Sequence, residues 1–142
     1  MEEVSKLYTA AMEQKAAVAI GSRAVDRSLV EIPQPAFREY SGRFFNIMMR
    51  LTTGLPFRDT QCGFKLFGRT AAKQIFALQK QDGFSFDVED LVIARKLGLK
   101  VIEVPVRWRN AEGTKVSLSQ GIKSFLDLFE IRLNHRKTTG EP

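Results

Sequence analysis

Residues 58–65 place an acidic side chain between two basic ones, and this run is the strongest cluster of chemically capable side chains in the sequence. Asp59 stands four residues before Gly63, with Arg58 on one side and Lys65 on the other. At the start of a strand the Asp59 carboxylate would meet a substrate at a sheet edge, so we take it as a catalytic candidate. The alternative is a turn that Asp59 opens and in which Gly63 supplies a permissive backbone.

Three carboxylates in residues 86–90 form a second candidate cluster. Asp87, Glu89 and Asp90 stand at the start of an apolar run that is typical of a helix. Acidic side chains at a helix N-terminus gain from the helix dipole and bind free N–H groups, which is a sufficient structural explanation for one of them. Glu89 and Asp90 also suit the role of general base in a cleft. A metal site is disfavoured because no histidine or fourth ligand lies nearby.

Basic side chains follow a predicted strand in residues 107–115. Arg107, Arg109 and Lys115 lie in this stretch, which also contains a glycine. Ligands of α/β sheets bind at the carboxyl ends of strands, and arginine and lysine suit phosphate groups there. We therefore predict phosphate contacts from Arg109 and Lys115, and Arg23 after an earlier short strand is a weaker version of the same arrangement. The alternative is an ordinary exposed loop.

The segment 37–52 has helical spacing but carries apolar side chains on more than one face. Arginines interrupt these side chains at positions 38, 43 and 50. The helix either belongs to the core or lies in a membrane interface, where arginine contacts anionic headgroups and phenylalanine contacts acyl chains. Arg38, Arg43 and Phe44 are the candidate residues for the membrane contact.

The single cysteine and the single histidine show no catalytic pattern. Cys62 has no histidine within sequence reach to activate it, so we predict a small buried apolar side chain. His135 stands near the end of the chain among basic residues, and we predict that it lies on a solvated helix surface without a partner.

The composition fits one domain over residues 1–142. The net charge of +6 and the isoelectric point of about 9.7 favour an anionic partner, such as phosphate or an acidic membrane, or else a solvated basic surface. Nucleic acid is disfavoured because aromatic and basic side chains are not interleaved as stacking platforms require. No apolar run approaches the roughly 20 residues that span a bilayer, and one cysteine indicates a reducing compartment. We expect a cytoplasmic chain that is soluble or peripheral at the inner face of the membrane.

The elements that must position these residues alternate between helices and strands. Helices are predicted over 3–15, 37–52, 69–78, 88–97 and 119–135, and strands over 18–20, 63–67 and 100–108, with 84–86 extended and 24–36 a loop. Asp87 and Gly98 are the expected N-cap and C′ residues of the fourth helix, and Gly54 ends the second. Pro105 places its strand at a sheet edge or a bulge. The alternation predicts an α/β layered fold, although the chain opens on a helix, without the usual nucleotide site of a first βα turn.

Four segments in a fixed order resemble family-2 glycosyltransferases of the dolichyl-phosphate glucosyltransferase type and their bacterial relatives. The family's signature segment is similar to Arg58-Asp59-Thr60-Gln61-Cys62-Gly63-Phe64-Lys65-Leu66-Phe67. The next motif resembles Phe86-Asp87-Val88-Glu89, and the third resembles Glu103-Val104-Pro105-Val106-x-Trp108 with Glu112-Gly113-Thr114-Lys115-Val116 behind it. The element that closes the donor half is similar to Gly21-Ser22-Arg23.

The resemblance implies the C-terminal, acceptor-side part of a GT-A fold, with a mixed sheet flanked by helices. It implies transfer of a sugar, glucose in the nearest family, from a nucleotide diphosphate such as UDP-glucose to a polyprenyl or dolichyl phosphate, with inversion. The family works at the cytoplasmic face of a membrane and uses Mg²⁺ or Mn²⁺, held by an Asp-x-Asp motif.

The resemblance also carries roles over to single residues. Arg23 and Lys115 match groups that hold phosphates, and Asp59 matches an acid on the acceptor side. Glu89 and Asp90 match an acidic pair that contains the base in the wider superfamily. Close relatives usually have leucine at position 90, so the base stays open among Asp59, Glu89 and Asp90.

The Asp-x-Asp motif and the uracil-binding segment of the family would precede Met1 and have no counterpart in this chain. We therefore expect the chain alone to be inactive and to hold no metal. We also expect it to expose a sheet edge and an apolar face, which favours a homodimer. The alternative function is a non-catalytic module that binds phosphate or anionic lipid.

Overall fold

The computed structural model describes residues 1–32, 35–83, 85–109 and 118–136. Its helices are α1 (Glu2–Glu13), α2 (Ala36–Thr53), α3 (Arg69–Leu78), α4 (Phe86–Lys96) and α5 (Leu118–Arg136). Its strands are β1 (Val18–Ser22), β2 (Val30–Ile32), β3 (Lys65–Phe67), β4 (Val101–Pro105) and β5 (Trp108–Arg109). A short 3-10 turn, Arg27–Leu29, precedes β2.

A three-stranded mixed sheet in the order β3-β1-β4 forms the centre of the fold. β1 runs antiparallel to β3, with Ile20 opposite Lys65, and parallel to β4, with Ile20 opposite Glu103. All five residues of β1 are buried, as expected for a central strand that is covered on both faces. β2 and β5 form a second, parallel two-stranded sheet. The predicted mixed α/β architecture, a mixed sheet flanked by helices, is confirmed.

Apolar side chains on the two faces of the central sheet form two cores. On one face, Leu7 of α1 packs with Ala19 and with Ile102 and Val104 of β4. The core on the other face contains Val18, Ile20, Met49, Ile75, Leu91 and Ile131. The alternation of side chains along β4 separates the two cores. Ile102 and Val104 are buried on one face, whereas Val101, Glu103 and Pro105 are half-buried and point to the opposite face.

Two helix ends and one edge position confirm the sequence predictions. Gly54 follows α2 with φ 71°, and Gly98 follows α4 with φ 69°. These left-handed conformations favour glycine, because a side chain would clash with the backbone there. Pro105 ends β4, which lies at the edge of the described sheet, where a missing N–H costs no ladder hydrogen bond.

Several predictions of local structure are wrong. The segment 24–36 contains β2 rather than only a loop, because Val30 and Ile32 pair with β5 far along the chain. Phe86 is the first residue of α4 rather than extended, and the N-cap of α4 is Ser85 rather than Asp87. The predicted strand 100–108 is divided, since β4 ends at residue 105 and β5 begins at residue 108.

Candidate functional site

Arg23 and Asp59 form a forked ion pair at the end of β1. Arg23 Nε donates to Asp59 Oδ2 at 2.7 Å, and Nη2 donates to Oδ1 at 2.7 Å. The backbone N–H of Arg23 also donates to Oδ2, at 2.9 Å. These hydrogen bonds hold the carboxylate of Asp59, which is 8% exposed, in one orientation. The hydrogen bonds that Arg23 donates to Asp59 raise the pKa of Arg23, so its guanidinium stays charged.

Three elements deliver the residues around this pair. Arg23 follows the last residue of β1, Asp59 lies between α2 and β3, and Trp108 begins β5. The guanidinium carbon of Arg23 lies 5.0 Å from the centroid of the Trp108 ring, which is a cation–π contact. Arg23 is therefore held both by a carboxylate and by an indole.

A cleft of about 470 Å³ opens beside the Arg23–Asp59 pair, along α2 and the segment 58–61. The arginines in its lining are Arg23, Arg27, Arg38, Arg43 and Arg58. The carboxylates in the described lining are Asp59 and Glu39, and Glu39 pairs with Arg27 and, at 2.7 Å, with Arg43. Five positive charges thus meet two negative charges, and this excess suits an anionic ligand such as a phosphate.

Arg58 contributes an available positive charge to this cleft. Its side chain is exposed and makes no ion pair with the part of the chain that the structure describes. An arginine that is free of a carboxylate can offer its planar set of N–H groups to a phosphate. Arg58 is therefore a clear candidate for direct contact with an anionic ligand.

A buried ion pair joins the segment 58–65 to α4. Lys65 Nζ lies 2.6 Å from Asp87 Oδ1 and donates to the backbone oxygen of Cys62 at 2.6 Å. The Lys65 side chain is only 3% exposed. Burial raises the pKa of the Cys62 thiol, which disfavours the reactive thiolate. The prediction that Cys62 is buried is confirmed.

Asp90 is a buried acid on α4 whose Oδ1 has no hydrogen-bond partner among the described residues. Burial, followed by the charge of Asp87, raises the pKa of Asp90 to about 7. The buried Oγ of Ser85 likewise has no hydrogen-bond partner among the described residues. A carboxyl group that exchanges its proton near neutral pH suits general acid–base chemistry. Asp90 is, however, not among the residues that line the cleft.

Glu89 is fully buried and holds two other parts of the chain. Its Oε2 accepts hydrogen bonds from the backbone N–H groups of Lys80 at 3.0 Å and Gln81 at 2.7 Å. Its Oε1 lies 2.7 Å from Nε2 of His135. The prediction that His135 lies on a solvated surface without a partner is wrong, because α5 turns this side chain inward onto α4. Glu89 makes structural contacts here and does not line the cleft.

The structure gathers some of the predicted site residues and separates others. Those in the cleft lining are Arg23, Arg38, Arg43 and Asp59. Arg109 lies on the exposed surface of β5, 3.2 Å from Glu31, and Phe44 is an exposed residue of α2. Lys115 lies outside the described residues. The catalytic and binding roles of all these residues stay predictions.

Charged and aromatic members of the cleft that sequence reasoning did not select as site residues include Arg27, Glu39 and Trp108. A signal for Glu39 is present, since Glu39 and Arg43 are four residues apart on a predicted helix and such pairs face each other. Arg27 and Trp108 carry no such local signal, because long-range strand pairing brings their segments together.

The described residues do not fit the divalent cation that the resemblance implies. Among them, no group of three or more histidine, cysteine, aspartate or glutamate side chains is arranged to hold a metal ion. The carboxylates near the cleft are instead committed to arginines or to backbone N–H groups.

α2 and α5 pack against each other and leave apolar side chains exposed. Phe44 and Phe45 of α2 lie with their ring centroids 5.9 and 5.2 Å from that of Phe125 in α5. We define the two-helix face as the exposed residues Phe37, Tyr40, Phe44, Ile47 and Leu51 of α2 with Ile122, Leu126, Phe129 and Leu133 of α5. Their spacing of three or four residues puts each set along one side of its helix. None of the helices described here combines the length and apolar character that crossing a bilayer requires.

Comparison with known proteins identifies relatives for this chain. It is 40% identical over 120 residues to "Dolichyl-phosphate beta-glucosyltransferase ALG5A" of Trichomonas vaginalis, a match that covers 84% of this chain and 36% of the relative. It is 35% identical over 139 residues to the dolichyl-phosphate beta-glucosyltransferase of Saccharomyces cerevisiae, covering 94% of this chain and 41% of the relative. The human enzyme of that name is 35% identical over 120 residues, covering 84% of this chain and 37% of the relative.

The chain thus spans about two fifths of the length of these relatives. No protein-family model matches it. No solved structure matches it significantly either.

Proposed function

We propose that this chain, a homologue of part of the dolichyl-phosphate beta-glucosyltransferases, binds the phosphate of a polyprenyl lipid within a sugar-transferring enzyme of the GT-A fold. In that reaction a phosphate oxygen of the lipid attacks the anomeric carbon of the sugar. The bond from that carbon to the nucleotide diphosphate breaks, and the configuration inverts. By the names of the relatives, glucose is the expected sugar.

The observation that carries this proposal is the arginine-rich cleft beside Asp59. A lipid phosphate carries negative charge, and the cleft offers an excess of guanidinium groups over carboxylates. Two of these arginines, Arg27 and Arg43, share Glu39, which leaves the exposed Arg58 as the best placed group for direct contact. The fixed Arg23–Asp59 pair forms one wall, and its carboxylate repels a ligand that is placed too close.

We propose that other residues complete the donor side of the reaction, because the described residues contain no group of three or more metal-binding side chains. We expect the nucleotide diphosphate and the Mg²⁺ or Mn²⁺ of the family to be bound by those other residues. Asp90, with its raised pKa, remains a proposed acid or base, although it does not line the cleft. A phosphate needs no strong base to attack, because it is already ionised at neutral pH.

Titration of the chain with a short-chain prenyl phosphate tests the proposal. The fluorescence of Trp108, which stacks on Arg23, is the readout, and calorimetry provides the affinity. We expect saturable binding that weakens as salt is added, because the contacts are ionic. The prenol of the same length and inorganic phosphate are the controls. Binding of the prenol as tight as that of its phosphate would overturn the assignment of the cleft.

A second candidate function is binding to an anionic membrane surface, which the two-helix face supports. Monomeric proteins rarely expose this many neighbouring large apolar side chains without a function. Basic residues of the same helices, among them Arg43, Arg50, Lys123 and Arg132, are exposed as well. A face of this kind fits an interface in which apolar side chains meet acyl chains and cations meet phosphate headgroups. This role and the acceptor role are compatible, since a polyprenyl phosphate is itself a membrane lipid.

A further inference from the structure

We propose that Glu103 is a positioning residue, which sets the Arg23–Asp59 pair by holding the backbone of residues 58 and 59. The importance of this role for ligand binding rests on the function proposed above for the cleft. The geometry itself does not depend on any ligand.

Glu103 ties the cleft segment to the central sheet through one carboxylate oxygen. Its Oε1 accepts a hydrogen bond from the backbone N–H of Arg58 at 2.8 Å and another from the N–H of Asp59 at 3.0 Å. Two consecutive N–H groups that converge on one anionic oxygen fix the orientation of the peptide between them, and hydrogen bonds to a charged acceptor are stronger than neutral ones. The Asp59 side chain leaves the backbone at the second of these two points.

The position of Glu103 in β4 makes it a rigid support. Glu103 stands opposite Ile20 in the parallel pairing of β4 with β1, and the buried Ile102 and Val104 on either side anchor the strand in the opposite core. Its side chain therefore projects from a fixed backbone. Glu103 does not line the cleft, so its effect on a ligand must pass through the residues that it holds.

Asn46 completes the hold on Arg58 from the other side. Its Nδ2 donates to the backbone oxygen of Arg58 at 2.8 Å. The N–H of Arg58 is thus bound by a strand residue and its C=O by a residue of α2. The peptide group between residues 58 and 59 has its C=O bound by Asn46 and its N–H bound by Glu103, so small rotations of the segment are opposed, and Asp59 meets the guanidinium of Arg23 with both oxygens. Asn46 lines the cleft and can touch a ligand itself, so Glu103 gives the cleaner test.

The test compares Glu103→Val with Glu103→Gln in the 142-residue chain by NMR. Valine suits a strand but removes the acceptor, whereas glutamine keeps a carbonyl oxygen at the position of Oε1. The readouts are the hydrogen-exchange protection of the Arg58 and Asp59 amides and the side-chain Nε–H signal of Arg23, which its hydrogen bond to Asp59 protects. Protection of the β1 amides reports whether the sheet is intact.

We expect Glu103→Val to lose the amide protection and the Arg23 Nε–H signal while the β1 amides stay protected, and Glu103→Gln to keep all three. Persistence of the Arg23 signal in Glu103→Val would overturn the proposal. If that variant loses the sheet, Glu103→Asp decides, because it keeps the charge but withdraws the oxygen by one methylene. If the Arg58 and Asp59 amides lose protection in Glu103→Asp but the Arg23 Nε–H signal persists, that result likewise counts against a positioning role.

A titration with the short-chain prenyl phosphate connects the geometry to function. We expect the Kd to rise roughly tenfold in Glu103→Val and to change little in Glu103→Gln. In an Asp59→Asn background, Glu103→Val should add less loss than it causes in the wild type, because part of its effect passes through the Asp59 carboxylate. Absence of binding by the unmodified chain would count against the proposed function, whereas the Arg23 signal would still decide the role of Glu103.

Discussion

His135 Nε2 on α5 lies 2.7 Å from Glu89 Oε1 on α4, and both side chains are buried. The contact fastens α5 to the layer of helices that covers the central sheet. The other oxygen of Glu89 binds the backbone of residues 80 and 81, so one carboxylate connects three separate parts of the chain. A buried carboxylate needs every one of these partners, because each of them offsets lost solvation.

Replacing His135 by alanine should destabilise the chain strongly. The change leaves Glu89 buried with one hydrogen-bond partner fewer, and a buried polar group left without a partner costs about 1–3 kcal/mol. Urea unfolding of the wild type and of His135→Ala measures the difference. His135→Gln should recover part of the lost stability, since an amide nitrogen can reach the position of Nε2. The control is Arg132→Ala, which changes an exposed residue of the same helix and should be nearly neutral. A loss below about 0.5 kcal/mol in His135→Ala would contradict the structural role of the pair.

Arg58→Ala should weaken binding of a prenyl phosphate without weakening the fold. Loss of a charge-assisted contact costs about 1.5–3 kcal/mol, which corresponds to a Kd roughly 10–100 times higher. The measurement is a calorimetric titration at constant salt. Arg69→Ala is the matched control, because Arg69 is exposed at the start of α3 and does not line the cleft. Equal losses in the two variants would mean that only net charge matters, and the cleft would then not be the site.

Asp90 should make the stability of the chain depend on pH. Its pKa is about 7 in the folded chain, whereas an aspartate in an unfolded chain titrates near pH 4. The folded state therefore binds more protons between these pH values, and the free energy of unfolding falls as pH rises through that range. From pH 5 to pH 8 the wild type should lose about 2–3 kcal/mol more than Asp90→Asn, in which this group cannot ionise.

Urea midpoints at several pH values in this range check the difference between the two chains. Every other side chain is the same in the two chains, so effects of pH elsewhere in the molecule largely cancel from the comparison. Asp82→Asn, a change at an exposed position, provides the control and should follow the wild type. Parallel profiles for the wild type and Asp90→Asn would show that Asp90 is ionised in the folded chain, contrary to the effect of its burial.

Polar substitutions on the two-helix face should reduce binding to vesicles. Phe37 is 81% exposed and Leu126 64% exposed, so the double change Phe37→Ser and Leu126→Ser removes apolar area with little effect on the core. Burying such a side chain contributes about 1.5–3 kcal/mol, so partition into vesicles with anionic phospholipid should fall at least about tenfold. Met12→Ser on α1, 62% exposed in the wild type, is the control.

The contribution of the apolar side chains to membrane binding can be separated from that of the cations. Vesicles of neutral lipid should bind the wild type more weakly than anionic vesicles, because the cations of α2 and α5 then lack partners. If the double variant binds anionic vesicles as well as Met12→Ser does, the two-helix face is not the membrane contact. A wild-type dimer in gel filtration that the double variant converts to monomer would assign the face to self-association instead.

The sequence predicts helices of this chain well, because their signals are local. The segment predicted as 69–78 has these bounds in the structure, and the glycines after α2 and α4 adopt the left-handed conformation that ends a helix. The strand β2 was not predictable in this way. Val30 and Ile32 are flanked by charged and proline residues, and they form a strand only because β5 lies beside them.

In the candidate site, too, single residues are predictable from local sequence, whereas their long-range contacts are not. The sequence motifs identify Arg23 and Asp59 as separate candidates, yet nothing in the sequence indicates that the two form one ion pair across 36 positions. Glu89 is recognisable as an acid at a helix start, but the backbone donors and the histidine that occupy it come from distant segments. A solvated histidine and a histidine that completes a buried contact have the same local sequence, so only packing distinguishes them.

The order of the strands has a consequence for how the chain acquires its cleft during folding. Val18 of β1 pairs with Phe67 on one side and with Val101 on the other, so two long loops must close before the central sheet exists. Loop closure costs entropy before any contact offsets it, and topologies dominated by distant pairings fold slowly. The helices can form earlier, from local hydrogen bonds. The cleft is therefore expected to be among the last parts of the chain to form. Trp108, the single tryptophan of the chain, should report the last step when its ring closes over Arg23.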